Sequence, residues 1–387
     1  MELDSPSRRD FLGASAAMAT AVAGVAALPA CAVEAPEPRK THSYHPDMEY
    51  RRLGRTNLMV SAVCLGGHWK RLMMAVPTGF KGRDWLRDVI LDDPDFRKNR
   101  YDVVSRSIEK GINYIDACTG PECMAYSRAL RGRREAMYLG WSWYEKEARF
   151  ADWRTADKLM QGLDEGLKEA QQEYVDLWRI TIHQDRVHSP RETEEIIEAL
   201  YRAKKQGKAR FTGVSTHNRP FLAMLFEYYP KEIDAVCTPY TADSKGEAPA
   251  TGGQLFPAET PGRGTKPRRD AFFDTASKYD VGIFGIKPFA SHAIFKGDGS
   301  PRGPHAEEDN RLARLTVRYV LENKAITAPI PGLATVAEVD NVALAIQEHK
   351  QQACLTPQER SEVARAGQEM WQRLPKHYHW LKDWEYA

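Results

Sequence analysis

Three side chains combine a reactive group with a position where reaction is feasible. Asp116 ends the run Gly111-Ile-Asn-Tyr-Ile-Asp116, and a carboxylate at the C-terminal end of a parallel strand faces the end of a barrel where catalytic groups collect. Lys287 lies just beyond Gly282-Ile-Phe-Gly-Ile286. Desolvated at a barrel mouth, a lysine can act as an acid or a base. His183 trails Val175-Asp-Leu-Trp-Arg-Ile-Thr-Ile182 and is followed by Gln184 and Asp185; its imidazole suits proton transfer. The bland alternatives are a strand-capping acceptor for Asp116, a snorkelling surface lysine and a solvent-facing loop histidine. His68, Tyr126 and Tyr240 are weaker candidates.

The six cysteines, at 31, 64, 118, 123, 237 and 354, have no Cys-x-x-Cys spacing, which argues against a zinc ribbon or a disulfide framework. Cys64, Cys118 and Cys237 fall near ends of neighbouring strands and, with His68 or His183, could hold a metal. Buried structural cysteines are commoner, so no metal site is expected. Cys118 and Cys123 could instead pair in an oxidising compartment.

The elements that must position these groups follow from composition and pattern. The 387 residues are 42% hydrophobic and 28% charged, ordinary globular values with length for a large core. A net charge of +2 without a basic run sets nucleic-acid binding aside. At the N-terminus, Ser7-Arg8-Arg9-Asp10-Phe11-Leu12 precedes an Ala-rich apolar run to Ala30. The order of basic, apolar and small residues is that of a twin-arginine export signal, so residues 1–32 are expected to engage the twin-arginine translocon and the protein to be periplasmic or exported. Leu28-Pro29-Ala30-Cys31 also fits a lipoprotein box, with Cys31 as lipid anchor; ordinary cleavage around Ala30-Cys31-Ala32 fits equally. Residues 33–47, rich in proline and charge, read as a flexible linker.

From Tyr50 a regular alternation begins. Val60–Leu65 reads as a first strand ending at Gly66-Gly67, followed by an insertion from Trp69 to Asn99. A helix over about Tyr101 to Lys110 leads to the strand ending at Asp116. Further strands fall at Ala136–Trp141, Val175–Ile182, Arg210–Ser215, Ala235–Thr238, Gly282–Ile286 and Ala328–Pro331. Leu159, Met160, Leu163 and Leu167 give one helix its apolar face. Ser189-Pro190-Arg191-Glu192 is a helix start with a capping box, and Thr335 with Glu338 caps the last repeated helix. A Gly/Pro-rich loop spans Ala242 to Pro267. Eight strands, each followed by a helix, predict a (β/α)8 TIM barrel over residues 48–387, extended by long loops and a C-terminal tail. An open doubly wound sheet would need a Gly-x-Gly-x-x-Gly turn, which is missing.

Over about Tyr50 to Gln347 the sequence resembles the aldo-keto reductase family. The carriers are Tyr50-Arg-Arg-Leu-Gly-Arg-Thr-Asn-Leu-Met-Val-Ser61, Gly111-Ile-Asn-Tyr-Ile-Asp116, Val175-Asp-Leu177, Gly207-Lys-Ala-Arg-Phe-Thr-Gly-Val-Ser215 and Ile330-Pro-Gly332. The resemblance implies carbonyl reduction with a nicotinamide nucleotide and no metal, using an aspartate, a tyrosine, a lysine and a histidine. The aspartate matches Asp116. The tyrosine position holds Pro121, or Thr119 after a two-residue deletion; the lysine position holds Ser142; the histidine position holds Thr181. Hydroxyls of threonine and serine are far too weakly acidic to deliver protons near neutrality, which is why Lys287 and His183 stand as replacements.

The nucleotide positions implied by the resemblance survive better. Ser215 and Thr216 match residues that bind the nicotinamide amide, Pro288, Phe289 and Ala290 the turn beside the pyrophosphate, and Gly332, Leu333, Ala334 and Thr335 the adenosine-phosphate site, where helix N-terminal amides favour an anion. Ile286 replaces the stacking aromatic. Glu338 replaces an arginine for the extra phosphate, so NAD is expected over NADP, held tightly because no free pool exists outside the inner membrane. The expectation is an exported oxidoreductase acting on a carbonyl or hydroxyl of a small polar substrate, a carbohydrate among the options. Its alternative is a barrel that has lost reductase chemistry and serves as a binding protein or non-redox enzyme. Trp371, His377, Tyr378, His379, Trp380, Trp384 and Tyr386 could line an aromatic cup over the site or pack outside the barrel.

Overall fold

Ten strands lie in two sheets in the computed structural model, which describes residues 37, 40–84, 88–183, 187–242, 271–300 and 302–374. A hairpin of β1 (Tyr50–Arg52) and β2 (Met59–Ser61) precedes the eight parallel strands β3 (Leu65–Gly66), β4 (Tyr114–Ala117), β5 (Tyr138–Trp141), β6 (Val175–Thr181), β7 (Ala209–Ser215), β8 (Ala235–Pro239), β9 (Gly282–Ile286) and β10 (Ala328–Ile330). Each pairs with the next in chain order. The ends meet where Gly66 bridges Gly332 in parallel and the Cys64 and Gly66 amides donate to the Pro329 and Pro331 carbonyls at 3.1 and 2.9 Å. The sheet is thereby a closed (β/α)8 barrel, as expected.

Helices follow the strands: α1 (Pro94–Glu109), α2 (Gly120–Ala129), α3 (Ala156–Ala170), α4 (Pro190–Lys205), α5 (Arg219–Tyr228), α6 (Ala271–Lys278), α7 (Ala306–Glu322), α8 (Val336–Gln351) and α9 (Pro357–Arg373). Their starts are written locally. Asp93, Thr119, Thr155, Ser189, Asn218, Thr335 and Thr356 each accept the amide three residues on, satisfying a donor that the helix itself leaves orphaned. The Ser189–Glu192 and Thr335–Glu338 capping boxes form as expected. In α3, Leu159, Met160, Leu163 and Leu167 are buried in the layer between strands and helices. A separate cluster, with Tyr114, Leu177, Cys237 and Phe284, fills the barrel and takes in Leu53, Leu58 and Val60 of the hairpin.

The hairpin departs from the expected pattern. Val60 and Ser61 pair antiparallel with Arg51 and Tyr50, so the first barrel strand is only Leu65–Gly66. A single apolar run serves two elements, because Ser61 turns the chain by donating its hydroxyl to the Val63 carbonyl at 2.7 Å. The hairpin sits at the N-terminal end of the strands, with Arg52 bidentate on Asp280 at 2.6 Å. Helix α1 begins seven residues earlier than expected, since Asp93-Pro94 caps it. The segment expected as linker is held from Thr41 onward: Thr41 donates to the Met59 carbonyl and Ser43 to that of Ala136, both at 2.7 Å. The expected export signal, Cys31, Gln184, Asp185, the loop from 243 to 267 and the tail from His377 lie outside the described residues. Among the described residues no helix is long and apolar enough to cross a membrane.

Candidate active site

A cavity of about 300 Å³ opens at the C-terminal ends of the barrel strands, the end at which barrel enzymes do chemistry. Asp116, from the end of β4, is in its wall, and its partner comes from β6. Arg179 Nε and Nη2 donate to Asp116 Oδ1 and Oδ2 at 2.9 and 2.5 Å, with both side chains almost wholly buried. The pair ties two strands that are not neighbours. It also occupies both carboxylate oxygens, so Asp116 meets the cavity with its charge already matched, as an anchor for Arg179.

Beside this pair the positions that resemble the family's lysine and histidine have become a closed hydrogen-bond chain. Ser142 donates to Glu147, lying 2.8 and 2.9 Å from its two oxygens. Having spent its one proton there, Ser142 accepts from the Thr181 hydroxyl at 2.6 Å. Glu147 also accepts the Trp143 and Thr181 amides at 2.8 and 3.0 Å. Burial pushes its carboxyl up, against the hydrogen bonds that would lower it. Every donor in this chain is used locally, and neither hydroxyl is activated for proton delivery.

Lys287 lines the cavity. Burial, reinforced by Lys70, brings its ammonium down to about 8, and Lys70 is itself lowered to about 8 by burial. The Arg149 guanidinium lies 3.6 Å over the Tyr144 ring; its Nε is buried without a hydrogen-bond partner, and no carboxylate among the described residues pairs with it. The wall is therefore cationic apart from the matched Asp116–Arg179 pair. Lys287, Ala290, Ser291 and His292 all have positive φ, at 58, 45, 58 and 70°, a run that L-residues adopt only where surrounding structure enforces it.

His183 is not brought to the cavity wall. Its ring stacks on His188 at 4.2 Å, its amide donates to His188 Nε2 at 3.0 Å, and its carbonyl accepts the Thr216 hydroxyl at 2.5 Å. The histidine that does reach the wall nearby is His217, buried after β7. Tyr126 is structural: its hydroxyl donates to the Gly66 carbonyl at 2.7 Å and accepts from Trp69 Nε1 at 2.9 Å. Tyr240 does not line the cavity; Asn323 donates to its hydroxyl at 3.3 Å.

Burial holds several histidines neutral: His188 is lowered to about 4 and His292 to about 3. The unfolded chain binds these protons first, so stability is complete above about pH 6.5 and falls as pH drops toward the folded values. At pH 5 each histidine is expected to cost about 2 kcal/mol. Urea unfolding at pH 7 and pH 5 checks this, and an unchanged midpoint would refute it.

Across β3 and α2 a second group converges. His68 Nδ1 is 3.1 Å from Cys118 Sγ and 3.4 Å from Glu122 Oε1. Buried Glu122 accepts the amides of both residues, that of Cys118 at 2.8 Å and that of His68. Burial alone would raise the Glu122 carboxyl; His68 and the Cys118 amide reverse this and hold it below its usual value. Gly67 is required there, since a Cβ would fall on the Glu122 carboxylate. Cys118 and Cys123 are both free thiols, so the pairing considered above does not form. Cys64 and Cys237 belong to the barrel interior, and of the three strand-end cysteines only Cys118 meets a histidine.

A further cavity of about 430 Å³ adjoins the first; Phe289, His292 and Gly332 line both. Of the residues expected at a nucleotide, Ser215 and Pro288 line the first cavity, Phe289 and Gly332 both, and Leu333 and Thr335 the second. Thr216, Ala290 and Ala334 are buried behind the walls, where the Ala290 amide closes a turn onto the Lys287 carbonyl at 2.9 Å. The Leu333 and Ala334 carbonyls accept from buried Arg100. The α8 N-terminus is already engaged: the Ala334 and Thr335 amides both donate to Glu338 Oε2, at 2.5 and 3.1 Å.

Arg179, Glu147, Arg149, His217 and the place of Glu122 beside His68 and Cys118 escaped the reading of the sequence. Arg179 had a signal, a charge inside an otherwise apolar strand, which demands a buried counterion. Cys118 and Glu122 also stand one helical turn apart. Glu147 and Arg149 lie in an irregular loop, where no periodicity marks direction.

No family model matches the chain. Among solved structures, aldo-keto reductase AKR11C1 from Bacillus halodurans in its holo form matches with a TM-score of 0.54 at 19% identity, covering 82% of this chain and 96% of that one. An aldo/keto reductase from Klebsiella pneumoniae, solved in complex with NADP and acetate, matches with a TM-score of 0.53 at 17% identity, covering 82% and 94%. Together with the strand order, these likenesses identify the barrel of this chain as one with the aldo-keto reductase fold.

Proposed function

We propose that this protein is an oxidoreductase that uses a nicotinamide nucleotide on a carbonyl or hydroxyl of a small polar substrate, with Lys287 as its acid–base group. The observation that carries the reading is the pair of adjoining cavities over β9 and β10, sharing Phe289, His292 and Gly332. Among the described residues, no side chain closes either cavity. The nicotinamide end belongs against Ser215 and Ile286, and the adenosine end against Leu333, Thr335 and Ala337. Glu338 favours NAD over NADP, because it takes the helix amides that would otherwise bind an extra phosphate and adds a repelling charge.

When bound, the nucleotide supplies or takes the hydride. The protein supplies the proton: Lys287 donates to the developing alkoxide in reduction and accepts from the hydroxyl in oxidation. Arg149, a cation in the cavity wall with no carboxylate paired to it among the described residues, favours a substrate carrying an acid group, an acidic sugar derivative among them. The Klebsiella protein of the same fold was solved with NADP, which supports a nicotinamide nucleotide in a barrel of this kind. We place the protein outside the inner membrane, folded around its nucleotide before export through the twin-arginine route, with Cys31 as lipid anchor if the lipoprotein box is used.

The test is turnover. Incubated with NADH, the purified protein is expected to oxidise it in the presence of carbonyl compounds bearing a carboxylate, faster than with their neutral esters. The absence of turnover in both directions across such a panel, with NADH bound, would leave a binding protein as the better reading.

A further inference from the structure

We propose that His68, Cys118 and Glu122 form a binding site for a divalent cation of the zinc class, with a fourth position open to the cavity. The three offer one ligand atom each, all within 4.8 Å of one another. A tetrahedral zinc with bonds of about 2.3 Å to sulfur and about 2.0–2.1 Å to nitrogen and oxygen needs ligand atoms roughly 3.3–3.6 Å apart. His68 Nδ1 stands 3.1 Å from Cys118 Sγ and 3.4 Å from Glu122 Oε1, two separations close to those values, and the third lies within 4.8 Å, so a turn of the His68 ring and a closing of the sulfur onto the carboxylate would complete the geometry.

Two features separate this from a thiol–imidazole–carboxylate relay. A relay uses both ring nitrogens, one for the thiol and one for the acid, whereas here Nδ1 makes the shorter approach to the sulfur and also meets the carboxylate. The carboxylate is also fixed before any cation arrives, because the amides of the two other ligand residues donate to it, which is the outer-shell support that metal sites use. His68 is held at a positive φ of 60°, and its ring meets Cys118 and Glu122. The set of cysteine sulfur, imidazole and carboxylate selects zinc-like ions over magnesium or calcium, and a bound dication would displace the thiol proton as it does at other cysteine sites. His68 and Cys118 line the cavity while Glu122 lies buried behind them. Three ligands with an open position are the pattern of a catalytic rather than a structural zinc.

The site does not depend on a nucleotide, and its test uses none. Metal-free full-length protein is titrated with Co²⁺ and followed by absorbance. One equivalent is expected to bind with a near-ultraviolet thiolate-to-cobalt band that Zn²⁺ abolishes. Cys118→Ser should remove the band, and His68→Ala should weaken binding by at least the roughly 100-fold that outer-shell changes can reach. Cys354→Ser, at an exposed cysteine, should leave it intact. Should Cys118→Ser fail to fold, alkylation of the wild-type protein decides, with Zn²⁺ expected to protect Cys118 in a mass-mapped labelling experiment. No stoichiometric cobalt, a band that survives Cys118→Ser, a band lost with Cys354→Ser, or labelling of Cys118 unchanged by Zn²⁺ would each overturn the proposal.

Discussion

Replacing Arg179 with methionine is expected to destabilise the protein by about 3–5 kcal/mol, the usual result of removing one member of a buried ion pair. The reason lies in what remains. Asp116 is buried, and Arg179 donates to both its oxygens; without the guanidinium it is a carboxylate out of water with no compensating charge. Replacing both members, Arg179→Met with Asp116→Leu, should recover most of the loss, because well-packed apolar residues do as well as a buried pair or better. Urea unfolding of the three variants measures this. A loss below about 1 kcal/mol for Arg179→Met would mean that the pair is solvated, in the range typical of surface pairs.

Replacing Lys287 with methionine is expected to lower turnover by about 10²–10⁴-fold, the usual contribution of a positioned acid or base, with little change in nucleotide affinity. The group is brought to about 8 by burial and by Lys70, so the sign of the pH dependence is fixed. In reduction the ammonium is the donor, and kcat/KM should be level below about pH 8 and fall above it. In oxidation the neutral amine is the acceptor, and kcat/KM should rise through the same range. Both inflections should vanish in the variant. Unchanged rates with an unchanged profile would remove Lys287 from the chemistry.

The barrel was legible because its signals are local. Alternating apolar runs, Ser189 and Thr335 with their glutamates three residues on, and the strand ending at Asp116 each specify an element without reference to distant residues. The hairpin was hidden because one apolar stretch, Val60 to Leu65, feeds two elements, and only the Ser61 bend separates them. Site residues were harder for the same reason. Asp116 and Lys287 could be placed because each ends a strand, and a strand's end defines a direction. His183 met the same criterion and turned away, captured by His188 five residues later, a loop contact that strand periodicity does not encode. Arg179 lay in plain view; the rule that a buried charge needs a partner pointed to it, and its partner was the aspartate already singled out.

What separates a working barrel from an inherited shell is whether the groove over β9 and β10 still takes a dinucleotide. Calorimetric titration of the purified protein with NADH, beside Ala337→Trp, addresses that most directly. Ala337 is exposed on α8 and lines the 430 Å³ cavity, so the indole should fill the adenosine end without touching the core. The expected result is saturable NADH binding, weaker with NADPH and lost in Ala337→Trp. Binding of neither nucleotide by the wild-type protein, after any tightly held nucleotide has been stripped and sought by mass, would contradict it.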